Sequence, residues 1–279
     1  MTVLRGLVLA GAILGIAPVA TGHAAPARVV SMNLCTDQLA MLLAEEDQLV
    51  SVSYLARDER ASAMAEEAER YPVNHGLAEE IFLLDPDLVI AGQFTSTATV
   101  AMLRRLGIPV VTMAPAYSLD DVRKRLTEMG KLLGREAAAA ELVAKFDADL
   151  AALRDALTTR PRAAIYSANG YTSGPESLAG AILDAAGFDN VAKEAGLPVG
   201  GLLPLERLVL LDPDVVVLPQ PYPGASRSEE VLHHPAVLAL RERASTSPLT
   251  DRDWICGTPH VLNAIKELVE ARQEDVVAP

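Results

Sequence analysis

One segment of this chain is written twice, and nothing else constrains the fold as much. The first copy runs Glu79-Glu80-Ile81-Phe82-Leu83-Leu84-Asp85-Pro86-Asp87-Leu88-Val89-Ile90. The second runs Glu206-Arg207-Leu208-Val209-Leu210-Leu211-Asp212-Pro213-Asp214-Val215-Val216-Val217. In each, a Glu precedes Asp-Pro-Asp at the same spacing, and an apolar run follows. The first part has the spacing of a short amphipathic helix. Proline disfavours helix at the residue before it, so that helix must stop at Asp85 and again at Asp212. The apolar run after it reads as a strand buried on both faces. A supersecondary unit repeated at such a distance implies two similar halves.

The rest of the chain agrees. Short apolar runs predict strands over 28–32, 49–53, 87–91 and 109–113, then over 162–168 and 214–218, with a weaker one over 244–247. Helical patterns fall between them, over 36–44, 97–106, 178–186 and 259–271. Alternation of this kind predicts α/β layers around mostly parallel sheets.

The middle breaks the rhythm. Ser118 followed by Asp121 reads as a capping box opening a helix that Gly134 ends. Residues 135–157 then contain no Gly or Pro. Leu142, Phe146, Leu150, Leu153 and Leu157 form one apolar stripe along them. A helix over that stretch is roughly 34 Å long at 1.5 Å per residue. It is either one more helix covering a sheet or a strut joining the halves, and its place between two sets of strands favours the strut. The expected fold is therefore α/β, with two Rossmann-like lobes of small, mostly parallel sheets joined by one long α-helix and a ligand cleft between them. The boundaries fall at 26–117 for the N-terminal lobe, 118–158 for the helical segment and 159–279 for the C-terminal lobe.

Residues 1–25 read as an address. Arg5 precedes an apolar stretch from Leu7 to Ala20, and the small residues of Thr21-Gly22-His23-Ala24-Ala25 follow it. That is the layout of a cleavable signal peptide. A spanning anchor needs about 20 apolar residues, and this run is shorter. Neither cysteine directly follows it, so no lipid-anchored N-terminal Cys is expected and the mature protein is placed free in the periplasm. Removing Arg5 with the leader moves the formal charge from -13 to -14. Such an acidic chain excludes nucleic acid and anionic membrane as partners and suits a freely diffusing monomer.

With the repeat, Arg28-Val29-Val30-Ser31-Met32-Asn33, the central helix and Leu183-x3-Gly187-Phe188-x-Asn190-Val191 taken together, the chain resembles a known family. These are the substrate-binding proteins of ABC importers for cobalamin, iron–siderophores and haem. The resemblance implies capture of a small metal chelate between the lobes and its delivery to an ABC permease dimer. The cobalt or iron would belong to the ligand, with no resident cofactor, no protein metal site and no enzymatic activity. It also implies a docking role for one Glu on each lobe, here Glu79 and Glu206. Two carboxylates on one rigid body can form bidentate pairs with arginines of the permease. Against that, a Glu opening a helix also simply complements the helix dipole.

Ligands of parallel α/β sheets lie beyond the carboxyl ends of the strands. Residues in those positions are Asn33, Cys35, Thr36, Tyr54, Arg57, Phe94 and Tyr117, then Asn169, Tyr171, Tyr222, Asp253 and Trp254. Most of the chain's aromatic residues fall in this set, which suits a broad, partly apolar ligand. Arg57 is its basic member, either a partner for a ligand anion or part of a solvated charge cluster with Asp58, Glu59 and Arg60. So few cations disfavour a strongly anionic catecholate siderophore and favour a corrinoid, a haem or a weakly charged chelate.

Cys35 and Cys256 leave three readings open: a disulfide, two free thiols, or a thiolate that ligates the cargo's metal. The histidines offer no spacing for a bare transition-metal site. Two rival functions remain, a ligand sensor or adaptor and an enzyme using Cys35 as nucleophile. A single helical strut also predicts little closure on ligand.

Overall fold

The computed structural model describes residues 25–154, 160–220, 224, 226–249 and 251–277, with backbone alone at 243, 245–249 and 273–277. The expected leader up to Ala24, Leu157 and Tyr222 lie outside the described residues.

The first half is β1 (Val29–Ser31), α1 (Leu34–Leu43), β2 (Leu49–Ser53), α2 (Ala65–Ala68), β3 (Val73–Asn74), α3 (Ala78–Leu83), β4 (Leu88–Gly92), α4 (Thr97–Arg105) and β5 (Val110–Met113). Its strands pair in parallel in the order β3-β2-β1-β4-β5. Then come α5 (Leu119–Leu133) and α6 (Glu136–Arg154). The second half continues with β6 (Arg162–Ile165), β7 (Tyr171–Ser173), α7 (Leu178–Ala185), β8 (Asp189–Asn190), β9 (Gly200–Leu202) and α8 (Leu205–Leu211). It ends with β10 (Val215–Pro219), α9 (Pro235–Arg243), β11 (Ser245–Leu249), α10 (Asp251–Trp254) and α11 (Val261–Val277).

The second parallel sheet has the order β8-β6-β10-β11. That is the first sheet's order without its outermost strand, with β6 standing for β1, β8 for β2, β10 for β4 and β11 for β5. The written repeat is thus a structural one. In both copies the amphipathic helix ends before Asp-Pro-Asp, and the strand that follows lies beside the first strand of its sheet. Asp85 and Asp212 take left-handed conformations, with φ of 47° and 43°. Ile81 and Leu208, two residues after each Glu, are fully buried and pin the two helices to their sheets.

The strand expected over 162–168 stops at Ile165. Asn169, with φ of 56°, turns the chain into β7, which pairs antiparallel with β9. That small ribbon was not expected from the sequence.

Ser118 caps α5 by accepting the Asp121 backbone N–H at 3.1 Å, and Gly134 closes it at φ 70°. The next helix, α6, has 19 described residues, roughly 28 Å. Its buried side chains are Ala139, Phe146 and Leu150, and its main neighbours are α5 and α11. It therefore runs along helices rather than over a sheet, as a strut should. One apolar core joins Val29, Val52 and Ile90 of the first sheet to Ala163, Ile165 and Val217 of the second, through Leu126 and Met129 of α5 and Ile265 and Leu268 of α11. Separate clusters fill the outer faces, around Val30, Val89 and Leu103 in one half and Ala164, Val216 and Val237 in the other. No helix among the described residues is long and apolar enough to cross a membrane.

Candidate functional site

The carboxyl ends of the two sheets meet across a short floor. Asn33 starts α1 by accepting the Cys35 backbone N–H on Oδ1 at 3.1 Å, which sets Cys35 in the first turn. Cys256 follows α10, and the two cysteines are joined as a disulfide with Cα atoms 5.0 Å apart. The bond settles the three readings of these residues and removes Cys35 as a free nucleophile. Beside it, Thr258 and Gln38 approach through Oγ1 and Oε1 at 3.4 Å. Gly257 lies so close to the first half that an added Cβ would stand 2.1 Å from the Ala116 Cβ. Farther out, the Arg60 guanidinium donates to the Gln220 carbonyl at 3.2 Å.

Above this floor is a cavity of about 120 Å³. Four of the residues expected beyond the strand ends, Asn33, Cys35, Thr36 and Phe94, line it. The structure adds Arg125, reaching in from α5, together with Met113, Ile255 and Gly257. Arg125 pairs with Glu128 through Nη1 at 2.6 Å, while its Nε is buried without a partner. Thr36 is buried, and its hydroxyl donates to the Asn33 carbonyl at 2.9 Å and meets the Ser31 hydroxyl at 2.8 Å. It shapes the wall more than it offers a bond.

Directly under the wall, Asp37 is fully buried. Its Oδ2 accepts from the Ser53 hydroxyl and the Ser53 backbone N–H, and Oδ1 has no partner. Burial pushes its carboxyl up to about 6, against the hydrogen bonds that favour the charged form.

Phe94 is 80% exposed, and Tyr54, Tyr117 and Tyr171 are also exposed at the strand ends. Tyr54 stacks on His75, with ring centroids 5.4 Å apart. Asn169 is exposed on its turn. Three expectations need correction. Trp254 is only 5% exposed and Asp253 is likewise buried, because the stretch read as a loop forms the turn of α10 and sends both side chains inward. Asp253 there accepts from Asn263 Nδ2 at 3.0 Å, and Ile255 and Gly257 face the cavity instead. Arg57 is committed locally. It donates to the carbonyls of Tyr71 and Ala68 at 2.7 and 3.4 Å and lies 3.6 Å from the Glu69 carboxylate.

A more open groove of about 550 Å³ runs past Arg57, Glu59, Glu66, Glu67 and Arg252. Its wall is ionic. Another, of about 490 Å³, lies between α6 and α11, away from the strand ends. The smaller cavity remains the candidate site because residues of both halves close it where parallel sheets hold ligands. Among the described residues, no group of three or more His, Cys, Asp or Glu is arranged to hold a metal ion.

Glu79 and Glu206 are both exposed, each the second residue of its helix.

Two parallel sheets joined by a helical strut, with a cavity at the carboxyl edge of the first that residues of the second half close, define a two-lobed solute-binding architecture. The sequence profile of the periplasmic binding protein family matches residues 29–201, well over half of the chain, and the protein belongs to that family. A relative from Halobacterium salinarum, named cobalamin-binding protein, is 34% identical over 202 residues, covering 69% of this chain and 53% of its own. The ferric enterobactin-binding periplasmic protein FepB of Escherichia coli is 30% identical over 137 residues, 46% of this chain and 42% of its own. The chain spans about half the length of these curated relatives. Among solved structures, the apo periplasmic heme-binding protein RhuT from Roseiflexus sp. RS-1 shares the fold at a TM-score of 0.73 and 24% identity, covering 88% of this chain and 98% of that one. The vitamin B12 binding protein BtuF of Vibrio cholerae does so at 0.65 and 18%, covering 91% and 99%.

Proposed function

We propose that this protein is the substrate-binding component of an ABC importer, working outside the cytoplasmic membrane as a monomer freed from its leader. Its cargo is a small metal chelate, held between the lobes and handed to a permease dimer that Glu79 and Glu206 engage. The observation that carries this reading is the cavity at the carboxyl ends of the first sheet's strands, closed from the second half by Ile255 and Gly257 beside the Cys35–Cys256 bridge, with exposed rings at the strand ends of both halves. The enclosed part holds only a fragment of such a ligand. Phe94, Tyr54, Tyr117 and Tyr171 offer the broad apolar faces for the rest. Arg125 is the one cation lining the cavity among the described residues, and it suits a single ligand carboxylate or phosphate. That balance favours a corrinoid or a haem over a highly charged catecholate complex. The names of the relatives, which cover cobalamin, ferric enterobactin and haem binders, support the wider class of metal chelates.

Trp254 provides the test. It is the only tryptophan, next to Ile255 at the cavity wall, so a bound porphyrin or corrin should quench it. Titration with cyanocobalamin, haemin and a ferric hydroxamate should give saturable quenching with one of them. Quenching by none would remove the proposed cargo class.

A sensor or adaptor would hold ligand in the same way. Uptake of the radiolabelled cargo by cells carrying Glu79→Ala with Glu206→Ala separates the two. Loss of uptake with retained binding supports transport, and unchanged uptake removes the docking role.

A further inference from the structure

We infer that Leu83 and Leu210 are apolar anchors set beside Glu79 and Glu206, so that each half presents a two-part knob to the permease. This rests on the docking role proposed above for the two glutamates, and it adds what the surface opposite must look like: a cation next to an apolar socket, occurring twice.

Leu83 is 82% exposed and Leu210 is 81% exposed, the two most exposed large apolar side chains among the described residues. They occupy the same place in the repeat, four residues after Glu79 and Glu206. Both pairs lie within one helix, α3 or α8, so the Leu stands one turn below the Glu on the same face. Side chains on a helix tilt toward its N-terminus, which leans each Leu toward its Glu.

The helices do not need these leucines to hold their place. Ile81 and Leu208 do that from full burial, and Leu84 and Leu211 are half-buried beside them. A single exposed leucine requires no explanation. Two at one position of a duplicated unit, each one turn from an acid, form a pattern that packing within the monomer does not produce. The flanks differ, since Phe82 is half exposed while its counterpart Val209 is partly buried. The shared element is the Glu–Leu pair.

The pairing has a physical purpose. A carboxylate–arginine contact exposed to water contributes little, because solvent and salt screen it. An apolar contact at its edge excludes water and strengthens the pair while adding buried area of its own. Charge then sets orientation, and the leucine lengthens the stay. The acids also choose the occupant. A second copy would set Glu against Glu, and an anionic lipid surface would be repelled, whereas a membrane protein offering arginines complements both parts.

Binding of the fluorescently labelled protein to right-side-out inner-membrane vesicles from its own cells tests this, with protein-free liposomes of the same lipids alongside. Leu83→Ala with Leu210→Ala should weaken binding to the vesicles at least tenfold and keep the wild-type slope against salt. Glu79→Gln with Glu206→Gln should weaken binding and flatten that slope. Ligand titration and thermal melting should be unchanged in both, since all four side chains lie on the surface. Wild-type binding by the leucine variant alone overturns the anchors and leaves the glutamate docking intact. Wild-type binding by both variants overturns docking itself. Equal binding to protein-free liposomes, or a leucine-dependent dimer in sedimentation, assigns the leucines another occupant and overturns the inference.

Discussion

Asp87 and Arg28 hold each other from both ends. The Asp87 carboxylate accepts the Arg28 backbone N–H at 2.9 Å, while the Arg28 guanidinium donates to the carbonyls of Leu84 and Asp85 at 2.6 and 3.0 Å. The second half repeats the device. Asp214 accepts the Arg162 backbone N–H at 2.8 Å, and Arg162 donates to the Asp212 carbonyl at 3.0 Å. In both, an arginine at the head of the first strand secures the left-handed turn that feeds the neighbouring strand.

Removing either carboxylate should leave backbone N–H groups without their protein partner. Asp87→Ala and Asp214→Ala are each expected to lower stability by about 1–2 kcal/mol, the scale of a charge-assisted hydrogen bond near the surface. The two effects should add, because the sites lie in different sheets. Urea denaturation at neutral pH measures both, and a wild-type midpoint for either variant would contradict the clamp.

The disulfide spans a sequence separation of 221 residues, so it closes a very large loop. Cys35→Ser with Cys256→Ser is expected to cost about 2–5 kcal/mol, mostly by freeing the unfolded chain. The native protein should take up no iodoacetamide in denaturant until it is reduced. Cargo binding should survive, weakened, in the double variant. Its complete loss with the fold intact would mean that sulfur itself contacts the ligand.

Asp37 makes stability depend on pH in a direction opposite to the usual carboxylate. Its folded-state value, pushed up to about 6, lies above that of the unfolded chain. Between about pH 4 and pH 6 the folded protein therefore holds a proton that the unfolded chain has released. The contribution from this group is fully favourable below the ordinary carboxylate range and is lost as pH rises through about 6. Asp37→Asn should raise stability at pH 7.5 by on the order of 2–3 kcal/mol, and the gain should vanish near pH 4. A constant difference between variant and parent from pH 4 to 7.5 would contradict this.

If the proposed cargo carries an anionic group, Arg125 should distinguish it by charge. Arg125→Ala should weaken binding of a carboxylate-bearing ligand such as haemin about tenfold, the scale of one charged hydrogen bond. A neutral ferric hydroxamate should lose little. Isothermal titration of both ligands against both proteins makes the comparison. Equal loss for the two would show that Arg125 acts through the shape of the wall.

Much of this was legible in the residues. Strands buried on both faces announce themselves as unbroken apolar runs, and β2 forms over the stretch that its sequence predicted. Asp-Pro-Asp fixed two helix ends by local sterics alone. The β7–β9 ribbon escaped because it depends on Gly200 and Gly201, at φ of 127° and 155°, rather than on an apolar pattern. At the site, position along a strand end was readable but direction was not. Trp254 sits where a ligand-facing ring was expected, yet one turn of helix carries it inward. Arg57 looked available because nothing local shows that the carbonyls of Ala68 and Tyr71 come within its reach. Arg125 was missed for the converse reason: it lies mid-helix, and only the docking of α5 brings it to the cavity.

The unbroken apolar layer beneath both sheets bears on how cargo would leave. Gaping apart would wet Val29, Ile90, Ile165 and the helices between them, at about 25 cal/mol for each Å² exposed. The empty and filled forms should therefore scatter X-rays almost alike. Thermal motion alone would seldom unseat a guest, and prompt discharge would call for leverage applied from outside at the two tips.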